Sequence, residues 1–120
     1  MAIEADSDAL VGSNETVLVI TDEPTRASAA LGAAAQRFML VSENGQEYTP
    51  RKFRSLVRKG REDELYTPNY VSAVTQTDRG PCLYLDCKGE ITLAMQATFI
   101  AILTAELHRH GIVDARIASA

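Results

Sequence analysis

Six basic side chains, Arg51, Lys52, Arg54, Arg58, Lys59 and Arg61, fall within one eleven-residue segment (RKFRSLVRKGR) that contains no acid. Guanidinium and ammonium groups at this density bind anions: nucleic-acid phosphates, acidic headgroups, or the carboxylates of an acidic protein. On a helix, Arg51, Arg54 and Arg58 line up at spacings of three and four, and Arg61 continues the row. Lys52 and Lys59 lie to either side, while Phe53, Leu56 and Val57 hold the opposite face against the body. The segment holds half of the chain's twelve basic residues, so the remainder stands at −10 against a net charge of −4. That acidic remainder repels a polyanion, and Glu62, Asp63 and Glu64 follow at once to neutralise one end of the ridge. No aromatic residue other than Phe53 is interleaved to stack on bases.

The remaining reactive residues form weaker patterns. Cys82, Cys87, His108 and His110 include the atom types that bind zinc, but no Cys-x-x-Cys occurs and the histidines are not four apart on one helix face. No metal and no cofactor is therefore expected. Cys82 and Cys87 are five apart in an expected strand, so alternation sends them to opposite faces and two reduced thiols are the simplest reading. Tyr84 and Asp86 share one face of that strand with Cys82, which makes them candidate binding residues. Asp86 and Glu90 are the nearest pair of carboxylates, a common coincidence around a turn. Neither a P-loop nor a Gly-x-Gly-x-x-Gly motif is present.

The elements that must position these residues follow from periodicity and punctuation. Residues 1–15 are polar and acidic and read as a disordered tail. Residues 16–21 (TVLVIT) form a strand buried on both faces. Asp22-Glu23-Pro24 opens a helix to about Arg37, with a small-residue face of Ala27, Ala30, Leu31, Ala34 and Phe38. Residues 38–42 (FMLVS) read as a second strand, and Asn44-Gly45 as a hairpin turn. Thr49-Pro50 starts the basic helix and Gly60 stops it. Residues 62–68 are a loop. Residues 71–75 and 81–88 are strands joined by Thr77-Asp78-Arg79-Gly80. Residues 90–110 form the longest helix, and residues 114–119 a final edge strand.

These elements predict an α+β, two-layer sandwich over residues 16–120. The sheet is mixed or antiparallel with four or five strands, packed by two long helices and one short basic helix in a ferredoxin-like or related split βαβ arrangement. Leu18, Ile20, Leu31, Leu83, Leu85, Phe99, Ile102 and Leu103 are the expected core. The long helix is apolar on two opposed stripes. The second stripe (Leu93, Ala97, Ile100, Thr104, Leu107) is available for a symmetric homodimer.

The acidic start of the chain lacks a signal-peptide pattern and the longest apolar stretch is too short for a membrane span, so a cytoplasmic protein is expected. Three functions are compatible with the pattern. The first is a small non-enzymatic protein-interaction domain, such as an inhibitor, an immunity-like protein or a regulatory or assembly module, binding a partner or itself. The second is a nucleic-acid binder using residues 51–61. The third is a small enzyme with a pocket near Tyr84 and Asp86.

Overall fold

Val17, Leu18 and Val19 are buried at successive positions of one strand, so the centre of the sheet is covered on both faces. The computed structural model describes residues 2–6, 9, 14–42, 44–60, 70–71, 73–86 and 91–119. The strands are β1 (Ile3–Ala5), β2 (Asn14–Ile20), β3 (Tyr70–Val71), β4 (Thr75–Thr77), β5 (Gly80–Asp86) and β6 (Ala115–Ser119). The helices are α1 (Pro24–Phe38), α2 (Pro50–Arg58) and α3 (Leu93–Arg109). The sheet order is β1-β6-β2-β5-β3, and β4 also pairs with β5. Every pairing is antiparallel except that of β1 with β6.

It follows that β2 runs parallel to β3 and β4 with β5 between them, and β5 runs parallel to β6 with β2 between them. These are two interleaved split βαβ units, the ferredoxin-like arrangement, with α1 and α3 as the crossover helices. Both helices cover the face that carries Val17, Val19, Leu83, Leu85 and Ile117. Phe38 of α1 and Phe99 of α3 meet edge to face, ring centroids 5.2 Å apart at 87°. Gly80 (φ 143°) ends the turn between β4 and β5 and lies close against β2, where a Cβ would come 2.4 Å from the Val19 carbonyl oxygen. Seven of the eight expected core residues are buried. Ile20, at the end of β2, is half-buried.

Several expected elements take a different form. Residues 38–42 are not a sheet strand. Phe38 belongs to the buried face of α1, so the helix runs through it. The chain then turns back at Gly45 after a single bridge between Val41 and Glu47. This small hairpin lies in the helix layer. The Thr98 hydroxyl donates to the Gly45 carbonyl, and a Cβ on Gly45 would lie 2.7 Å from the Ala94 carbonyl oxygen.

The expected strand 71–75 is split into β3 and β4. Val71 pairs with Leu85 and Thr75 with Cys82, so β3 and β4 are offset by one residue in their register along β5. The N-terminal end of α3 is set by Thr92 rather than Glu90: the Thr92 hydroxyl accepts from the Met95 N–H at 3.1 Å.

The N-terminal stretch is also more than a polar tail. Ile3–Ala5 pairs with Ala115–Ile117, and the Asp6 N–H continues the ladder to the Ile117 carbonyl at 2.8 Å. Arg116 grips the Asp6 carboxylate with two hydrogen bonds, 2.9 and 2.7 Å. That hydrogen bonding holds the Asp6 carboxyl below its usual range. Ala9 is buried as well. The strand β6, expected at an edge, is consequently interior, because β1 covers the edge it would otherwise expose.

Candidate functional site

The basic helix is assembled by strong local signals. Thr49 caps α2, its hydroxyl accepting from the Lys52 N–H at 3.1 Å, and Pro50 fills the first helical position. Gly60 (φ 67°) ends it in the left-handed region. Leu56 is buried with Tyr48, and half-buried Leu40 and Phe53 close a small apolar cluster distinct from the main core. Lys52 places its ammonium 5.3 Å from the centroid of the Tyr48 ring, a cation–π contact.

The outer surface of α2 is basic. Arg51, Lys52, Arg54, Arg58 and Lys59 are all exposed. None of them forms an ion pair with an acid among the described residues. Arg61, the sixth member of the ridge, and the acids at 62–64 lie outside the described residues. Arg51, Arg54 and Arg58 border a groove of about 600 Å³, with Phe53 and Val57 as its apolar lining. Val57 is 46 % exposed there.

This arrangement costs stability. Arg51–Arg54 and Arg54–Arg58 are like-charge neighbours at three and four residues, each destabilising a helix by roughly 0.2–0.5 kcal/mol. The first turn holds two cations and no acid, which opposes the helix dipole. Lys59 beyond the last turn, by contrast, suits the dipole.

A charge network centred on the buried Glu106 ties the hairpin that carries α2 to the main body. Arg37 of α1 binds Glu47 through two parallel hydrogen bonds, Nε to Oε2 at 2.7 Å and Nη2 to Oε1 at 2.8 Å. Its Nη1 donates to Oε2 of Glu106 on α3 at 2.9 Å. Arg109 closes on the other oxygen of Glu106, at 3.0 Å through Nη2 and 3.1 Å through Nε. Glu106 is only 4 % exposed. Burial alone would raise its pKa, but the hydrogen bonds from Arg37 and Arg109 outweigh it and hold the carboxyl below its usual range. The two hydrogen bonds to Glu47 keep Arg37 more firmly protonated than a free guanidinium, against the opposing effect of burial.

Sequence reasoning missed this network. The available signal was Glu106 itself, a carboxylate in phase with Met95, Phe99 and Ile102 on the buried stripe. A second groove of about 500 Å³, between the end of α1 and Tyr48, has Arg37 and Glu47 in its wall, both already committed to each other.

The candidate residues on β5 stand apart from α2. Tyr84 is 40 % exposed and points to the sheet face away from the helices, opposite Thr16 in the register. Asp86 closes β5, paired across the ladder with Asn14 and Tyr70. No β5 residue is among the described residues lining the α2 groove. The two halves of the candidate set therefore do not form one pocket among the described residues.

The thiol and imidazole groups are also dispersed. Cys82 is buried, its Sγ 3.0 Å from the Thr75 hydroxyl, and Cys87 lies outside the described residues. His110 caps the end of α3, its Nδ1 2.7 Å from the Glu106 carbonyl oxygen, and His108 is exposed. Among the described residues no three His, Cys, Asp or Glu side chains gather as a metal site. None of their helices is long and apolar enough to cross a membrane.

On the second stripe of α3, Leu107 is buried and Ile100 packs against the main core, whereas Ala97 is exposed and Leu93 is 82 % exposed. No protein-family profile, no curated protein and no solved structure matches the chain.

Proposed function

We propose that this chain is a small non-enzymatic protein-interaction domain that docks an acidic protein partner through the arginine-rich face of α2. An inhibitor, an immunity-like protein or an assembly module are forms this would take. The observation that carries the reading is a row of exposed cations, without acidic partners among the described residues, on a helix held by its own small apolar cluster. The ridge destabilises its own helix, which is a cost that binding offsets. An acidic protein is favoured over nucleic acid because Phe53 is the one aromatic residue among the cations of residues 51–61 and is half-buried, so no series of rings is offered for successive bases to stack on. It is favoured over a lipid surface because Leu56 and part of Phe53 face the body, leaving too little apolar area to insert.

The test offers poly-glutamate, a generic DNA duplex and phosphatidylserine vesicles to the wild-type chain and to the triple variant Arg51→Glu, Arg54→Glu, Arg58→Glu. Poly-glutamate should bind the wild type, weaken with rising salt and fail to bind the variant. Binding of the duplex alone, with a steep salt dependence, would transfer the ridge to nucleic-acid recognition.

Self-association through the N-terminal half of α3 is a second form of the same class, favoured by the exposure of Leu93 beside Ala94 and Ala97. Sedimentation at micromolar concentration tests it. A monomer there removes it.

A further inference from the structure

The geometry points to an acidic amphipathic helix as the occupant of the α2 groove. This deepens the reading of α2 as a docking surface and rests on it. The groove is not uniformly charged. Its lining joins two apolar residues one helical turn apart, Phe53 and Val57, to three arginines, Arg51, Arg54 and Arg58. A partner that is merely acidic satisfies the arginines and leaves Val57, 46 % exposed, in water. A partner with an apolar seam beside its acids satisfies both.

The spacing selects a helix over an extended strand. From Arg51 to Arg58 the helix axis advances about 10 Å, in steps of about 4.5 and 6 Å. A second helix with acids three and four residues apart repeats at the same steps. An extended strand presents one face every ~6.6–6.8 Å and drifts out of register with the shorter step. Two helices pack ~8–10 Å apart when apolar ridges interlock, which is where Phe53 and Val57 stand. Arginine rather than lysine at all three positions fits carboxylates, because the planar guanidinium binds a carboxylate through two parallel bonds. Lys52 and Lys59, on the far side of Leu56, border no part of this groove and contribute only the long-range field.

The inference is tested with two labelled peptides of about fifteen residues and identical composition, rich in glutamate and leucine. One places leucines and glutamates on adjacent stripes of a helix, and the other is scrambled. Fluorescence anisotropy should give the amphipathic peptide a dissociation constant at least about tenfold below that of the scrambled one. Val57→Ser should erase that preference while leaving the scrambled peptide's affinity unchanged. Val57 is largely outside the packed clusters, so the substitution should leave the melting temperature in place. Arg54→Glu with Arg58→Glu should weaken both peptides. Equal affinity for the two peptides overturns the helix as occupant and leaves acidic docking standing. Failure of both peptides to bind overturns acidic docking as well.

Discussion

Phe99 lies in a cluster of nineteen buried residues among those described, joining both long helices to the sheet. Leu56 shares its cluster with buried Tyr48 and half-buried Leu40 and Phe53. The two regions obey the same packing rules at different scale. In the main core, apolar phase carries the stability: α1 opens at Glu23 without a side-chain cap, and α3 on the Thr92 hydroxyl. In the α2 unit, apolar burial is just enough to seat a helix whose charges repel one another and whose first-turn cations oppose its dipole. Where a short helix is built against its own electrostatics, function is the economical explanation. The two regions are joined by the Glu47–Arg37–Glu106–Arg109 network, which passes from the hairpin into both long helices.

The largest expected effect is in the main core. Phe99→Ala deletes a fully buried ring and its edge-to-face partner contact, and should cost about 3–5 kcal/mol in chemical denaturation. A loss near 1 kcal/mol would mean that the Phe38–Phe99 contact does not organise the core.

The joint comes next. Arg37→Met removes the guanidinium between Glu47 and Glu106 and leaves a buried carboxylate held by Arg109 alone. Breaking a fully buried pair costs ~3–5 kcal/mol; because Arg37 is 37 % exposed and Arg109 remains on Glu106, the loss should stay below that range. The same variant sharpens the pH behaviour. Glu106 and Asp6 both have depressed folded pKa values. Their stabilisation is therefore complete above the unfolded carboxyl range of about 4 and is lost as pH falls through the lower folded values. Denaturation midpoints measured from pH 7 to pH 2.5 should fall on the acidic side for the wild type. In Arg37→Met the fall should begin at higher pH. An unchanged acid profile would show that Arg37 does not set the Glu106 titration.

A truncation beginning after Asp6 should lower the melting temperature by several degrees, because it removes the β1 ladder and the Asp6–Arg116 pair and exposes β6 as an edge. An unchanged melting temperature would reduce β1 to an ornament of the sheet.

The smallest effect on global stability is expected in the α2 unit. Leu56→Ala should abolish hydrogen-exchange protection within α2 while amides of α1, α3 and β5 keep theirs. Loss of protection in all four elements together would make α2 part of one cooperative unit and break the distinction between the regions.

The sequence was readable where structure is decided locally. Thr49-Pro50 and Gly60 delimit α2 through their own side chain, ring and backbone freedom. The apolar phase of α1 and α3 and the turn at Gly80 were readable for the same reason. Features decided by distant partners were not. The strand β1 is three residues long with two exposed side chains, and its order comes from a backbone ladder with residues more than a hundred positions away. The register offset between β3 and β4 depends on their pairing with β5. Residues 38–42 have strand-like composition, but Phe38 is claimed by Phe99 and the chain after it by α3. The arginine ridge was visible as composition. Its apolar companions Phe53 and Val57 became a groove lining only with the way α2 seats on Tyr48.

The central claim is that the arginine face of α2 serves binding and not folding. One paired measurement on the triple variant Arg51→Glu, Arg54→Glu, Arg58→Glu tests it most directly: the thermal midpoint, and retention of an acidic peptide at low salt. A midpoint close to that of the wild type is expected, since Arg51→Glu gains at the first turn what Arg58→Glu loses at the last and like charges repel along the row in both chains, together with loss of peptide binding. A midpoint many degrees lower, or peptide binding that survives the exchange, would contradict it.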